Sequence, residues 1–184
     1  MLSILVGHSY FQNFDPKQLD RAKPYPPLAT LQLAARLRQA GREVSFFDAM
    51  LAESPLEFDL QIQSVRPSLV VLYEDNYNYL SKMCLGKMRD AAGEMIASAR
   101  AAGARVIAAG SDVSDAPETY LQLGADLVLR GEGLSGLHRL LARLDADPRA
   151  DNAGLIEGLS DVSTLVEGRL TAEESDGVLR FRTT

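Results

Sequence analysis

The sequence holds one cysteine, no tryptophan and two histidines in 184 residues. Cys84 has no partner for an internal disulfide, and one Cys with two His leaves too few ligands for a structural zinc site. Positive charge is also scarce: 19 Lys and Arg face 25 Asp and Glu, for a net charge of −6. Nucleic-acid domains need clustered positive charge, so a general binder of phosphate backbones is excluded. No apolar run approaches the ~18 residues of a membrane span. The opening Met1-Leu2-Ser3-Ile4-Leu5-Val6-Gly7 carries no basic leader and no long apolar core, which reads against a signal peptide. The expected protein is cytoplasmic, with neither nucleic acid nor membrane among its partners.

Three segments share one grammar. Leu37-Arg38-Gln39-Ala40-Gly41 leads into Val44-Ser45-Phe46-Phe47, Arg100-Ala101-Ala102-Gly103 into Val106-Ile107-Ala108-Ala109, and Tyr120-Leu121-Gln122-Leu123-Gly124 into Asp126-Leu127-Val128-Leu129. Each reads as a helix closed by a left-handed glycine and followed by a short buried strand. The apolar runs Leu2 to Val6 and Leu69 to Tyr73 bring the strands to five. Apolar strands alternating with helices predict a parallel sheet covered on both faces. The expected class is therefore α/β, a Rossmann-like (flavodoxin-like) five-stranded parallel sheet over residues 1–145. The texture then shifts to Asp, Glu, Gly and Ser, and residues 146–184 read as a C-terminal extension, either an appended hairpin or a linker.

Leu80, Cys84, Met88, Ala91, Met95 and Ala99 mark one helical stripe, which reads as core with Cys84 a buried, inert thiol. A last helix is predicted over about Ser135 to Leu144, with His138 structural or solvated.

In an open doubly wound sheet, ligands bind beyond the carboxyl ends of the strands, at the reversal of strand order. The loops there are Gly7-His8-Ser9 after the first strand, Tyr73-Glu74-Asp75-Asn76 after the third, Gly110-Ser111-Asp112 after the fourth and Gly131-Glu132-Gly133 after the fifth. Glycines let backbone approach a ligand closely, and the polar side chains supply hydrogen bonds. A G-x-G-x-x-G after the first strand and a G-x-x-x-x-G-K-[ST] are both absent, which excludes a dinucleotide fold and P-loop hydrolysis. The first strand ends without the paired acids of a receiver domain, and no G-x-S-x-G elbow occurs. Glu74 and Asp75 adjoin in sequence, which does not make them an acid/base pair.

Taken together, these loops resemble the N-terminal cobalamin-binding domain of B12-dependent radical SAM enzymes. Tyr25-Pro26-Pro27-Leu28-Ala29 is similar to that family's Y-P-P-L-G helix opening, and Ala109-Gly110-Ser111-Asp112 stands in place of its G-G-x-H turn. Asp126-Leu127-Val128-Leu129-Arg130-Gly131-Glu132-Gly133 resembles D-x-V-x-x-G-E-G-E, with Leu134 in the last position. Leu155-Ile156-Glu157-Gly158-Leu159 is similar to the I-P-G-L segment before the radical SAM barrel. The likeness spans about 160 residues and implies a methyl-carrier role, in which cobalamin takes methyl from SAM and delivers it to a substrate radical. It implies corrin contacts from Gly7, His8, Ser9, Pro27, Leu28, Tyr73, Glu74, Asp75, Asn76, Gly110, Ser111, Asp112, Gly131, Glu132 and Gly133. Small Ala108, Ala109 and Ser111 would leave room for the nucleotide tail.

The family's cluster motif C-x-x-x-C-x-x-C cannot be built from one Cys. The [4Fe-4S] cluster and SAM are thus expected in a radical SAM domain outside this chain, joined in cis or in trans. Val6-Gly7-His8-Ser9-Tyr10-Phe11 keeps the His of the methionine-synthase D-x-H-x-x-G motif but lacks its Asp and Gly. The implied cobalt is therefore base-off and His-off, with the Tyr73 loop near the lower corrin face and no metal ligand from the protein. A stand-alone cobalamin carrier or sensor, and a flavodoxin-like module for a nucleotide or a partner, are the alternatives.

Overall fold

A computed structural model describes residues 2–20, 24, 26–75, 85–131, 133–166 and 169–172. In chain order it has β1 (Ser3–Gly7), a 3-10 turn (Gln12–Phe14), α1 (Pro16–Leu19), α2 (Leu28–Gln39) and β2 (Glu43–Phe46). Then come α3 (Pro55–Val65), β3 (Leu69–Tyr73), α4 (Leu85–Ala101), β4 (Arg105–Ala109), α5 (Ser111–Asp115) and α6 (Pro117–Gln122). The chain continues with β5 (Leu127–Leu129), α7 (Leu134–Ala146), α8 (Asn152–Ile156), β6 (Val162–Val166) and β7 (Arg169–Ala172).

The sheet order is β2-β1-β3-β4-β5-β6-β7. The first five strands are mutually parallel, with Val6 opposite both Phe46 and Val71, Val71 opposite Ile107, and Ala108 opposite Val128. This 2-1-3-4-5 order is doubly wound, and its reversal lies between β1 and β3. The strand residues explain the two covered faces, because consecutive side chains point to opposite sides. Leu5, Val70, Leu72, Val106 and Ala108 pack with Phe58, Ile62, Met95, Ile96 and Tyr120 of α3, α4 and α6. Ile4, Val6, Val71, Ile107 and Leu129 pack instead with Leu33, Leu37, Leu137, Leu140 and Leu141 of α2 and α7.

Among the described residues the sheet has seven strands, which corrects the expected five. β6 pairs antiparallel with β5, Val128 opposite Ser163, and β7 pairs antiparallel with β6. Without β6 the outer edge of β5 would present unpaired backbone groups. The buried Ser163 and Thr164 interrupt the apolar pattern by which a core strand is recognised. Thr164 is accommodated because its hydroxyl donates to the Asp126 carbonyl at 2.7 Å.

Met88, Ala91, Met95 and Ala99 are buried along α4, as their spacing predicts, whereas Leu80 and Cys84 lie outside the described residues. His138 is exposed on α7. Among the described residues, no helix is long and apolar enough to cross a membrane.

Candidate cofactor site

Parallel pairing carries the loops after β1 to β5 to one edge of the sheet. At the β1 end, Phe47 donates its amide to the Val6 carbonyl at 2.9 Å, and a Cβ on Gly7 would lie 3.3 Å from that of Phe47. His8 follows, 4% exposed. The Tyr10 amide donates to its Nδ1 at 3.3 Å, which assigns the ring proton to Nε2, and Nε2 donates to Asp48 Oδ1 at 3.1 Å. Asp48, at the end of β2, also accepts from the Met50 amide at 3.0 Å. Both ring nitrogens are thus committed within the protein.

Ser9 ties this loop to the next. Its hydroxyl and amide donate to Glu74 Oε2 at 2.6 and 3.3 Å. Glu74 is fully buried, so the hydroxyl–carboxylate bond is of the short, charge-assisted kind. The Glu74 amide donates to the Ala109 carbonyl at 2.7 Å, and the Glu74 carbonyl accepts from the Asp112 amide at 3.1 Å. Gly110 fits between them at φ 110°, its bare Cα facing the Glu74 backbone. The space that this glycine was expected to offer a ligand is filled on that side by Glu74. Ser111 reaches the rim, where its hydroxyl donates to Asp75 Oδ1 at 2.8 Å.

Asp112 turns inward and is 1% exposed. Arg89 of α4 donates to both its oxygens at 2.7 and 2.9 Å, and the Tyr120 hydroxyl donates to Oδ2 at 2.6 Å. The hydrogen bond to Asp112 raises the Arg89 pKa above its ordinary value. The Tyr120 phenol is pushed well above its ordinary range, first by burial and then by the negative charge of Glu74. This carboxylate locks α4, α5 and α6 together.

The fifth loop is joined to the fourth through Ser114, whose hydroxyl donates to the Gly110 carbonyl at 2.8 Å and accepts the Gly131 amide at 2.9 Å. Among the described residues nothing lies within 4 Å of a Cβ built on Gly131. Gly133 is buried, where a Cβ would meet that of Leu129 at 3.1 Å. Asn76 and Glu132 lie outside the described residues.

Pro27 precedes α2, and Leu28 at its head is 65% exposed. From its first turn to its last, Ala29, Gln32, Leu33 and Arg36 of α2 line a groove of about 290 Å³ whose other walls are Tyr73 and Leu134. Ala108 and Ala109 leave no slot, since both are buried in the packing on either side of the sheet. The open space at this edge lies between α2 and α7 instead.

Two enzymes solved with cobalamin bound share this fold. OxsB, a cobalamin-dependent S-adenosylmethionine radical enzyme solved with aqua-cobalamin and S-adenosylmethionine bound, matches with a TM-score of 0.66 and 16% identity over 97% of this chain. TsrM from Kitasatospora setae, a radical S-adenosylmethionine methyltransferase solved with cobalamin and a [4Fe-4S] cluster, matches with a TM-score of 0.66 and 19% identity over 92%. The chain spans 23% of the first and 30% of the second. At these identities the likeness is one of fold. No family model matches the sequence, and no curated protein matches it.

Several residues of this edge escape a reading by loops. Asp48 stands 40 positions from His8, and Arg89 and Tyr120 come from helices. A signal for the groove does exist: Ala29, Leu33 and Arg36 recur at the four- and three-residue steps of one helix face.

Proposed function

We propose that this chain is a cobalamin-binding module of a B12-dependent radical SAM enzyme, the methyltransferase type included. One observation carries the reading: nearly the whole chain superposes on two enzymes solved with cobalamin bound. Residues 1–145 hold the corrin and residues 146–184 form the extension, while SAM and the iron–sulfur cluster belong to a radical SAM domain in cis or in trans.

The residues present fit such a ligand. Among the described residues nothing stands against a Cβ on Gly131 at the carboxyl edge, and the loops there are held by bonds among themselves from Ser9 to Glu74 and from Ser114 to Gly131. A groove of about 290 Å³ sits just below the ~300–1,000 Å³ of sites that enclose a whole drug-sized ligand. It suits one arm of cobalamin, and Tyr73, Asp75, Ser111 and Gly131 would hold the macrocycle at the edge. When bound, the corrin cobalt supplies methyl-transfer chemistry. His8 supplies no ligand to it, because Asp48 and the Tyr10 amide occupy both ring nitrogens, and among the described residues no three metal-ligating side chains converge. We take the cobalt to be held base-off and His-off, and the two bonds of His8 support the second of these.

The test is a titration of the purified chain with hydroxocobalamin followed by gel filtration. Corrin that co-elutes at one equivalent is the expected result. Corrin that elutes only as free cofactor leaves the likeness as one of fold.

A further inference from the structure

Arg36 is the residue through which the groove between α2 and α7 acquires charge. It is exposed on α2, and none of the ion pairs among the described residues includes it. Its neighbours along the helix face, Ala29 and Leu33, are too small or too apolar to neutralise it, and Gln32 adds amide donors. Among the described residues lining the groove it is the only charged one. Arg36 stands in the last turn of α2, and the first turn of α7 borders the same space through Leu134 without an acidic residue. The amide dipole of α7 therefore adds to the positive potential on that side.

Cobalamin is a mixed ligand in this respect. Its corrin arms end in neutral amides, and its one anionic group is the phosphodiester joining the aminopropanol arm to the nucleotide. A guanidinium matches that group by parallel N–H bonds to two phosphate oxygens. We propose that Arg36 is the residue by which this chain distinguishes a corrinoid bearing that phosphate from one that ends at the aminopropanol arm. The inference rests on the cobalamin reading above and adds to it a specificity determinant, so that incomplete corrinoids are held less tightly than the finished cofactor.

The test compares diaquacobinamide with its phosphate ester. Neither carries the nucleotide base, so the two differ only at the group in question. Titrations of the purified chain are expected to give about tenfold tighter binding of the phosphate ester, a margin that shrinks as salt is added. Arg36→Ala should remove that margin, while Arg36→Lys should keep part of it. Because Arg36 is exposed on a helix, neither variant removes core packing. Equal affinities in the unaltered chain would overturn the proposal, as would a preference that survives Arg36→Ala, and the cobalamin reading would stand in both cases. Failure of hydroxocobalamin and of both cobinamides to bind would overturn the two together.

Discussion

Gly110 lies against the backbone of Glu74 so closely that a Cβ built on it would stand 2.5 Å from the Glu74 carbonyl oxygen and 2.9 Å from its nitrogen. The obstacle is backbone, which cannot swing aside, and φ at Gly110 is 110°. Gly110→Ala should therefore destabilise the chain by at least about 2 kcal/mol, through strain and a displaced β3 loop. Urea unfolding measures it. A loss under about 0.5 kcal/mol would show that the two loops separate easily.

Ser9 and Glu74 form another junction between loops, across the reversal of strand order. Ser9→Ala removes a 2.6 Å hydroxyl bond to a carboxylate that is 0% exposed. Hydrogen bonds to charged groups contribute about 1.5–3 kcal/mol, and the variant should lose about that much. Equal denaturation midpoints for variant and parent would contradict the bond's role.

Tyr120 should not ionise in the folded chain at ordinary alkaline pH. Burial and the charge of Glu74 hold its phenol above the usual value near 10. The unfolded chain releases that proton from about pH 10 upward. The stabilisation is therefore complete below that pH and declines as pH rises above it. Native-state titration at the tyrosinate absorbance should be the same for Tyr120→Phe and the parent. A missing step in the variant would show that Tyr120 ionises while folded.

His8→Ala should lower thermal stability, since it removes the bond to Asp48 and the one from the Tyr10 amide. The visible spectrum of bound corrin should not change. A shift of the absorption bands in the variant would place His8 on the metal.

Much of the framework can be read in the order of residues. The runs Ile4 to Val6, Leu69 to Leu72, Val106 to Ala109 and Leu127 to Leu129 are buried strands, and Gly41, Gly103 and Gly124 take positive φ after their helices as a C-terminal cap requires. Helix α3 is harder to see. Phe58 and Ile62 form its buried face while Leu56 and Leu60, 73% and 64% exposed, place apolar residues on the opposite side. No single stripe results. The C-terminal hairpin is hidden by its polar residues, of which Ser163 and Thr164 are both buried.

The site divides in the same way. Loops beyond the parallel strands gather at one edge because the topology leaves them nowhere else. Which side chains face each other there depends on pairs distant in sequence. His8 finds in Asp48 the carboxylate that its own loop lacks, and Asp112 spends its charge on Arg89 and Tyr120. Such pairs are set by the register of β1 against β2 and by the packing of α4 on the sheet.

The most direct measurement is the electron paramagnetic resonance spectrum of cob(II)alamin mixed with the chain at neutral pH. Free cob(II)alamin carries its own base on cobalt and shows nitrogen splitting on each cobalt line. The account predicts that one equivalent of chain abolishes that splitting, because the cofactor is held with neither its base nor His8 on the metal. Nitrogen splitting that persists with the chain in excess would contradict it.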